Sequence, residues 1–418
     1  MYALVDCNNF YASCERSFNP KLNAVPVVVL SNNDGCVIAR SNEAKKLGIP
    51  MGAVAYQYQQ LFDKHNVKVF SSNYALYGDI SNRVMNILSS YTPDMEVYSI
   101  DESFLEFNGF ENFDLKAYGH EMKDWIYQLT RIPISIGFAP TKALSKVANR
   151  IAKKFPEHHN GVYVMDTEEK RIKALKWLKV EDIWGIGRRY AMKLNKYGIV
   201  NAYQFTQQHD DWIKKEFSIV GLRLARDLRG EKTLSLEEPI KQKKNIATTR
   251  SFNKNLSDPE MIKERLCTFG NSCAEKLRNQ SSKCNALLVF LTTNSHRKDL
   301  PQYRASKVVK LPFASNSSIT ITEYVKKAFD KIYLDGFQYK KAGVIVLDIV
   351  PEANIQINLF DNENPKHLRL MQAIDHTNKI IGQKKVKLAN QDLGRTWKMR
   401  QEKLSPRYTS SWNELLEV

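Results

Sequence analysis

The sequence predicts a multidomain α+β protein, on three observations. Its 418 residues exceed what one core ordinarily holds, so several domains are expected. In the first 165 residues, short β-branched runs alternate with stretches of helical periodicity. Over 247–351 the apolar patterns run β-α-β-β-α-β, which reads as one sheet carrying two helices.

In chain order, YALVDC (2–7) is a short apolar run that ends in a carboxylate, as a buried strand ends at a site. PVVVL (26–30) and GCVIA (35–39) are β-branched, and Ser31-Asn32-Asn33-Asp34-Gly35 between them signals a hairpin. SNEAKKLGIPMG (41–52) reads as a helix stopped by Gly48 and Pro50. Ile80, Val84, Ile87 and Leu88 recur at helical spacing between Tyr77 and Tyr91. EVYSIDESFLEF (96–107) and IPISIGFA (132–139) read as strands, after which Thr141 can cap a basic helix over 141–155.

Short helices dominate 166–232, with a Gly185-Ile186-Gly187 turn between two helices in 180–199 and a second glycine turn expected in 217–231. Pro239 and KQKK (241–244) mark a basic linker over 233–246. Strands are expected at 247–256, 285–293, 305–313 and 340–350, with helices at 258–277 and 321–334. The rest, 352–418, is a polar tail carrying QINLFD (356–361).

Composition narrows the function classes. Hydrophobic residues make up 43% and charged residues 26%, the balance of a globular chain. No apolar run is long enough to cross a bilayer, and MYALVDCNNFY lacks the basic and apolar regions of an export signal, so a cytoplasmic location is expected. Lys+Arg outnumber Asp+Glu by 62 to 45, giving a net charge of +17, which suits a polyanionic partner, nucleic acid first. The 6 cysteines lie in two distant groups without a CxxC pair, so reduced thiols are expected. His158-His159 stands alone and reads as a loop rather than a metal site.

Three carboxylates, Asp6, Asp101 and Glu102, sit on strand-like segments with apolar flanks. Buried carboxylates are costly unless cations or several donors meet them, so they either pair with lysines or bind metal. In a basic chain such a set suits two Mg²⁺ ions. Neighbouring strand residues point to opposite faces, so for Asp101 and Glu102 to reach one site the strand must end, twist or turn there. Lys146, Arg150, Lys153 and Lys154 recur on one face of the basic helix, either as a solvated surface or as a clamp on phosphate oxygens, with Lys45 a second candidate. Gly185 and Gly187, beside Arg188 and Arg189, can expose backbone N–H groups to a phosphate. Leu359-Phe360 in the polar tail suits either a partner's pocket or packing back on its own domain.

Taken together, ALVDCNNFYASCE (3–15), SNNDGCVIARSNEAKKLG (31–48), YSIDESF (98–104) and GFAPTKALSKVANRIAKK (137–154) resemble the Y-family translesion DNA polymerases. SNNDGCVIAR and the ending SPRYTSSWNELLEV (405–418) are similar to the UmuC type of that family. The resemblance implies a right-hand polymerase: palm from 1–11 and 75–165, fingers 12–74, thumb 166–232 with helix-hairpin-helix-like turns, and little finger 247–351. It also implies metal binding by Asp6, Asp101 and Glu102, with the Cys7 carbonyl a further ligand. Tyr11 would be the steric gate against a ribonucleotide's 2′-hydroxyl, Phe10 its neighbour, and Lys153 a triphosphate ligand. Many relatives place Tyr and Arg three residues apart in the fingers. Here stand Asn42 and Lys45, so Lys45 keeps the charge without the bidentate fork and Arg40 is the compensating candidate.

Further expectations follow from the resemblance. Gly185, Gly187, Arg188, Lys243, Lys244 and Arg250 would contact primer-template DNA, and Gln356, Leu359 and Phe360 a sliding clamp. Substrate would be a dNTP, and partners a processed UmuD dimer and the RecA recombinase. No segment remains for an exonuclease, so error-prone synthesis in the SOS response without proofreading is expected. The alternative is a non-catalytic DNA-binding scaffold recruited to the clamp. That reading leaves carboxylates inside a basic cleft unexplained.

Overall fold

The structure is a computed structural model that describes residues 1–237, 242–354, 363–382, 385–394 and 399–415. The chain forms two compact units, Met1–Pro239 joined by Gln401–Val418, and Ile240–Arg400.

The first unit opens with β1 (Tyr2–Cys7) and α1 (Phe10–Phe18). There follow β2 (Val27–Leu30), β3 (Val37–Arg40), α2 (Asn42–Lys46), α3 (Gln59–Lys64) and β4 (Lys68–Ser71). β2 is flanked by β3, antiparallel, and β4, parallel. The Ser31–Gly35 hairpin forms as its residues imply, and the helix begun at Asn42 ends at Lys46, just before the Gly48 and Pro50 expected to stop it.

α4 (Tyr74–Leu88) starts where the Asn73 side chain accepts from Leu76 N–H. β5 (Met95–Val97), β6 (Glu102–Glu106), α5 (Leu115–Thr130), β7 (Ile134–Ala139), α6 (Lys142–Lys154), α7 (Pro156–His159) and β8 (Val162–Val164) complete a sheet of order β5-β6-β1-β7-β8. Thr141 caps α6 through Leu144 N–H. His158 and His159 lie on the short helix α7 rather than in a loop.

The period of two in β1 sorts its side chains between two layers. Ala3, Val5 and Cys7 join α4 and α5 in one core. Tyr2, Leu4 and Asp6 alternate with them, and Asn149 of α6 donates to the Leu4 carbonyl at 3.1 Å. α6 approaches so closely that a Cβ on Gly137 of β7 would lie 2.0 Å from the Asn149 backbone nitrogen.

Beyond the sheet lie α8 (Glu168–Trp177), α9 (Arg188–Lys196), α10 (Ala202–Thr206) and α11 (Asp210–Arg229). The helix expected before Gly185 is reduced to one 3₁₀ turn, Val180–Asp182. Within the stretch 217–231 expected to hold a glycine turn, the break falls at Ser218 (φ 64°) and Gly230 (φ 98°) ends α11, while Gly221 is buried inside the helix where a Cβ would meet Phe217.

The second unit holds β9 (Ile246–Leu256), α12 (Pro259–Asn279), β10 (Ser282–Thr293), β11 (Arg304–Ser315), α13 (Ser318–Phe329) and β12 (Tyr339–Pro351). This is the β-α-β-β-α-β order read from the sequence. Its antiparallel sheet runs β11-β10-β12-β9, and α12 and α13 share a core with alternating residues of the strands. The stretch read as a single tail is divided. α14 (Pro365–Ile381) belongs to the second unit, where Asp375 accepts from two of the three Arg278 side-chain nitrogens at 2.6 and 2.8 Å, and residues from Gln401 onward belong to the first.

Candidate active site

The strand expected over 96–107 is a hairpin. β5 pairs antiparallel with β6, and Tyr98–Asp101 make the turn between them. Ser99 drives it: its hydroxyl accepts from the N–H groups of Asp101 (3.2 Å) and Glu102 (3.0 Å) and donates to Asp101 Oδ1 (2.6 Å). Asp101 therefore sits on a turn and Glu102 opens a strand. The Cys7 N–H donates to the Asp101 carbonyl at 2.8 Å, holding the turn against the end of β1.

Asp6 and Glu102 are direct cross-strand partners. Each faces α6: Lys153 pairs with Asp6, and Lys146 with Glu102 at 2.9 Å. The two lysines are one face of α6, spaced so that their ammonium groups reach successive positions of the sheet. Lys146 also lies over the Tyr98 ring at 4.4 Å, and one turn earlier the buried Lys142 pairs with buried Glu96 at 2.7 Å. Burial pushes the Asp6 carboxyl up to about 6; Lys153 opposes this, while Glu102 and Asp101 add to it.

Asp6 borders two openings. The larger, about 830 Å³, is shared with Cys7, Phe10, Tyr11, Arg40, Asn42, Lys45, Asp101 and Lys153. The smaller, about 290 Å³, is shared with Glu102, Lys146, Arg150 and Lys153. The turn thus does not bring Asp101 and Glu102 into one opening; Asp6, at the strand end, is reached from both. Among the described residues no group of three or more His, Cys, Asp or Glu side chains is set to hold a metal ion. The reason is visible in the pairing: ammonium groups stand on Asp6 and Glu102 where a cation would. The donors are nevertheless all oxygen, and Glu102 and Asp101 both act to raise the Asp6 pKa, so the residues fit a hard divalent cation that would displace the lysines.

Across the larger opening, Lys45 donates to Asn9 Oδ1 at 2.6 Å and Asn9 in turn donates to Asn42 Oδ1 at 3.0 Å. Burial lowers the Lys45 pKa, helped by Arg40 and Lys153. Arg40 donates to the Ile49 carbonyl at 2.6 Å. Three cations, Arg40, Lys45 and Lys153, therefore surround the cleft mouth facing the carboxylates. Tyr11 stacks on the buried Tyr77, with ring centroids 4.4 Å apart and planes at 17°, and Phe10 tilts against it at 5.8 Å. Asn9 and Tyr77 escaped the sequence reading: Asn9 is one of two adjacent asparagines, and Tyr77 lies on the apolar stripe of α4. A positive φ at Asn9 (51°), just before α1, is its structural signature.

The other candidates lie on other elements. Gly185 has φ 84°, and Gly187 precedes α9, which begins at the exposed Arg188. Lys243, Lys244 and Arg250 are exposed at and just before β9. Gln356, Leu359 and Phe360 lie outside the described residues. All six cysteines are free.

Residues 5–150 match the impB/mucB/samB family and 243–359 that family's C-terminal domain, while 368–418 match a domain of unknown function. The chain is 40% identical to Protein UmuC of Salmonella typhimurium, with 100% of each chain covered, and 39% identical to Protein SamB of the same organism, with 99% of each covered. It is 29% identical to DNA polymerase IV of Saccharolobus solfataricus over 63% of this chain and 74% of that one. In fold it is similar to a Y-family DNA polymerase chimera, with a TM-score of 0.66 and 22% identity over 85% of this chain and 99% of that chain. With two family domains in order and identity running end to end, the chain belongs to the impB/mucB/samB family, the UmuC type of Y-family DNA-directed DNA polymerase.

Proposed function

We propose that the chain is an error-prone translesion polymerase of the SOS response, with its reaction at the Asp6 cleft. The observation that carries this reading is the meeting of Asp6 and Asp101 with Arg40, Lys45 and Lys153 in one cleft, with Glu102 the cross-strand partner of Asp6. In this reading 1–11 and 75–165 are the palm, 12–74 the fingers, 166–232 the thumb and 247–351 the little finger.

Asp6, Asp101, Glu102 and the Cys7 carbonyl would hold two Mg²⁺ ions. When bound, these supply Lewis-acid activation of the primer 3′-hydroxyl and neutralise the leaving phosphates. The protein's own groups do the rest. Lys153 exchanges its pairing with Asp6 for the triphosphate of a dNTP, and Lys45, held by Asn9, offers a second charge. Tyr11, backed by Tyr77, lies under the sugar and clashes with a 2′-hydroxyl. The 3′-hydroxyl gives its proton to water, its oxygen bonds to the α-phosphorus, the bond from the α-phosphorus to the bridging oxygen breaks, and pyrophosphate leaves.

Arg188 and the N–H groups after Gly185 and Gly187 take template or primer phosphates, and Lys243, Lys244 and Arg250 take others. The QINLFD segment docks on a sliding clamp, and the processed UmuD dimer and RecA are the further partners; these rest on the family resemblance. Mg²⁺-dependent primer extension past an abasic site, with clamp, UmuD dimer and RecA supplied, tests the reading. Asp101→Ala and Glu102→Ala are each expected to lower extension at least ~100-fold while DNA binding persists. Normal extension by either variant overturns the catalytic assignment, and DNA binding with no extension by the unaltered chain favours the scaffold.

A further inference from the structure

The gate residue does not stand alone. One face of the Tyr11 ring is backed by Tyr77, which is fully buried. The Tyr77 hydroxyl donates to Glu15 Oε1 at 2.6 Å, and Glu15 is itself buried on α1, one turn beyond Tyr11. The same Glu15 oxygen accepts a second hydrogen bond, at 3.0 Å, from the hydroxyl of Ser405. Ser405 lies in the stretch matched to a domain of unknown function.

Ser405 is in turn fixed from several sides. The Asn73 amide donates to its hydroxyl at 3.0 Å, to its carbonyl at 3.2 Å and to the Pro406 carbonyl at 3.3 Å. Asn73 is also the cap of α4, the helix that carries Tyr77. Around it the segment is laced to the unit: Ser71 N–H donates to the Lys403 carbonyl at 2.9 Å, and Lys403 N–H to the Ser71 hydroxyl at 3.0 Å. Gln401 donates to the Ser72 carbonyl at 2.9 Å, and Tyr408 stacks on Phe18 of α1 with ring centroids 4.8 Å apart. Burial pushes the Glu15 carboxyl up to about 7, against the pull of the two hydroxyl donors, which marks those donors as its principal compensation.

We propose that residues 401–408 take part in sugar selection, Ser405 acting through Glu15 and Tyr77 to set the position of Tyr11. The inference rests on the reading of Tyr11 as the gate. A gate rejects a 2′-hydroxyl only if it cannot retreat, and the stacked Tyr77 ring is what blocks retreat. The two hydrogen bonds on Glu15 fix that ring between α1 and α4, and Ser405 supplies one of them from the far end of the sequence. Tyr77, Glu15 and Ser405 touch no substrate; they are positioning residues.

The test compares incorporation of dNTP and rNTP by the full-length chain with its partners, for Tyr77→Phe, Ser405→Ala and Tyr11→Ala. Tyr77→Phe keeps the stack and removes only the hydroxyl, and Ser405→Ala removes one donor, so both are mild for folding; thermal melting checks it. Each is expected to lower dNTP-over-rNTP discrimination about tenfold, with dNTP efficiency within ~3-fold of the unaltered chain. In the Tyr11→Ala background neither change should alter discrimination further. Retained discrimination in Tyr11→Ala alone overturns the gate reading. Lost discrimination there, with none lost in Tyr77→Phe and Ser405→Ala, overturns the positioning role by itself. An equal fall in dNTP and rNTP efficiency assigns these residues to general stability and likewise overturns it.

Discussion

Charge placement at single residues decides what the first unit can do. Lys142, Lys146 and Lys153 meet Glu96, Glu102 and Asp6 in turn along α6, so a row of ammonium groups is matched to a row of carboxylates. The first pair is buried and the last is at the cleft mouth, so Lys153 is the most exposed of the three and, in the proposed reaction, the one to trade its partner for a phosphate. Glu15 shows the opposite case, a buried carboxylate met by hydroxyls alone. Its value of about 7 against an ordinary 4.5 means that the folded chain retains a proton there that the unfolded chain has released. Stability from this group is full below about pH 4.5 and is lost as pH rises through 7. Glu15→Gln removes the titration, so the fall of melting temperature between these pH values should be shallower in the variant. Parallel slopes in melts across that range would remove Glu15 as a titrating group.

At the scale of elements, the close seat of α6 on β7 fixes the row of lysines over the sheet. It depends on Gly137, where any Cβ meets the Asn149 and Ala148 backbone rather than a movable side chain. Gly137→Ala is therefore expected to cost about 3 kcal/mol or more, a fall in melting temperature on the order of 10 °C by calorimetry. Most elements were legible in the sequence because burial wrote a clear period: VVVL, ISIGFA and the strands of the second unit sit within a few residues of their expected places. The hairpin at Tyr98–Asp101 was not, because apolar residues on both sides masked a turn made by one Ser99 hydroxyl. The break in 217–231 was placed only to the stretch: Gly221 there serves close packing inside α11, and the break falls at Ser218. Of the site, the carboxylates, Tyr11 and Lys153 were readable as types in motifs. Asn9, Glu15, Tyr77 and Ser405 were not, since what unites them is proximity across the fold.

For the whole molecule, the +17 charge implies binding to DNA that weakens steeply with salt. Lys243→Ala with Lys244→Ala should lower affinity for primer-template and reduce the slope of log affinity against log salt by roughly 1 to 2. An unchanged slope in a fluorescence titration would place those lysines away from phosphate. The first unit is also closed by residues made long after its core strands. The Asn73–Ser405 hydrogen bond joins positions 332 residues apart, and Glu15–Ser405 joins positions 390 apart. Contacts of that separation form late, after their loop-closure cost has been met. At ~5–20 residues per second, synthesis alone delays them by tens of seconds after Tyr77 has been made. The buried carboxylate of Glu15 waits through that time without one of its two donors. A chain still on the ribosome therefore carries Asp6, Asp101, Glu102 and the residues around their cleft, yet leaves the Tyr77 ring behind Tyr11 on an unfinished support.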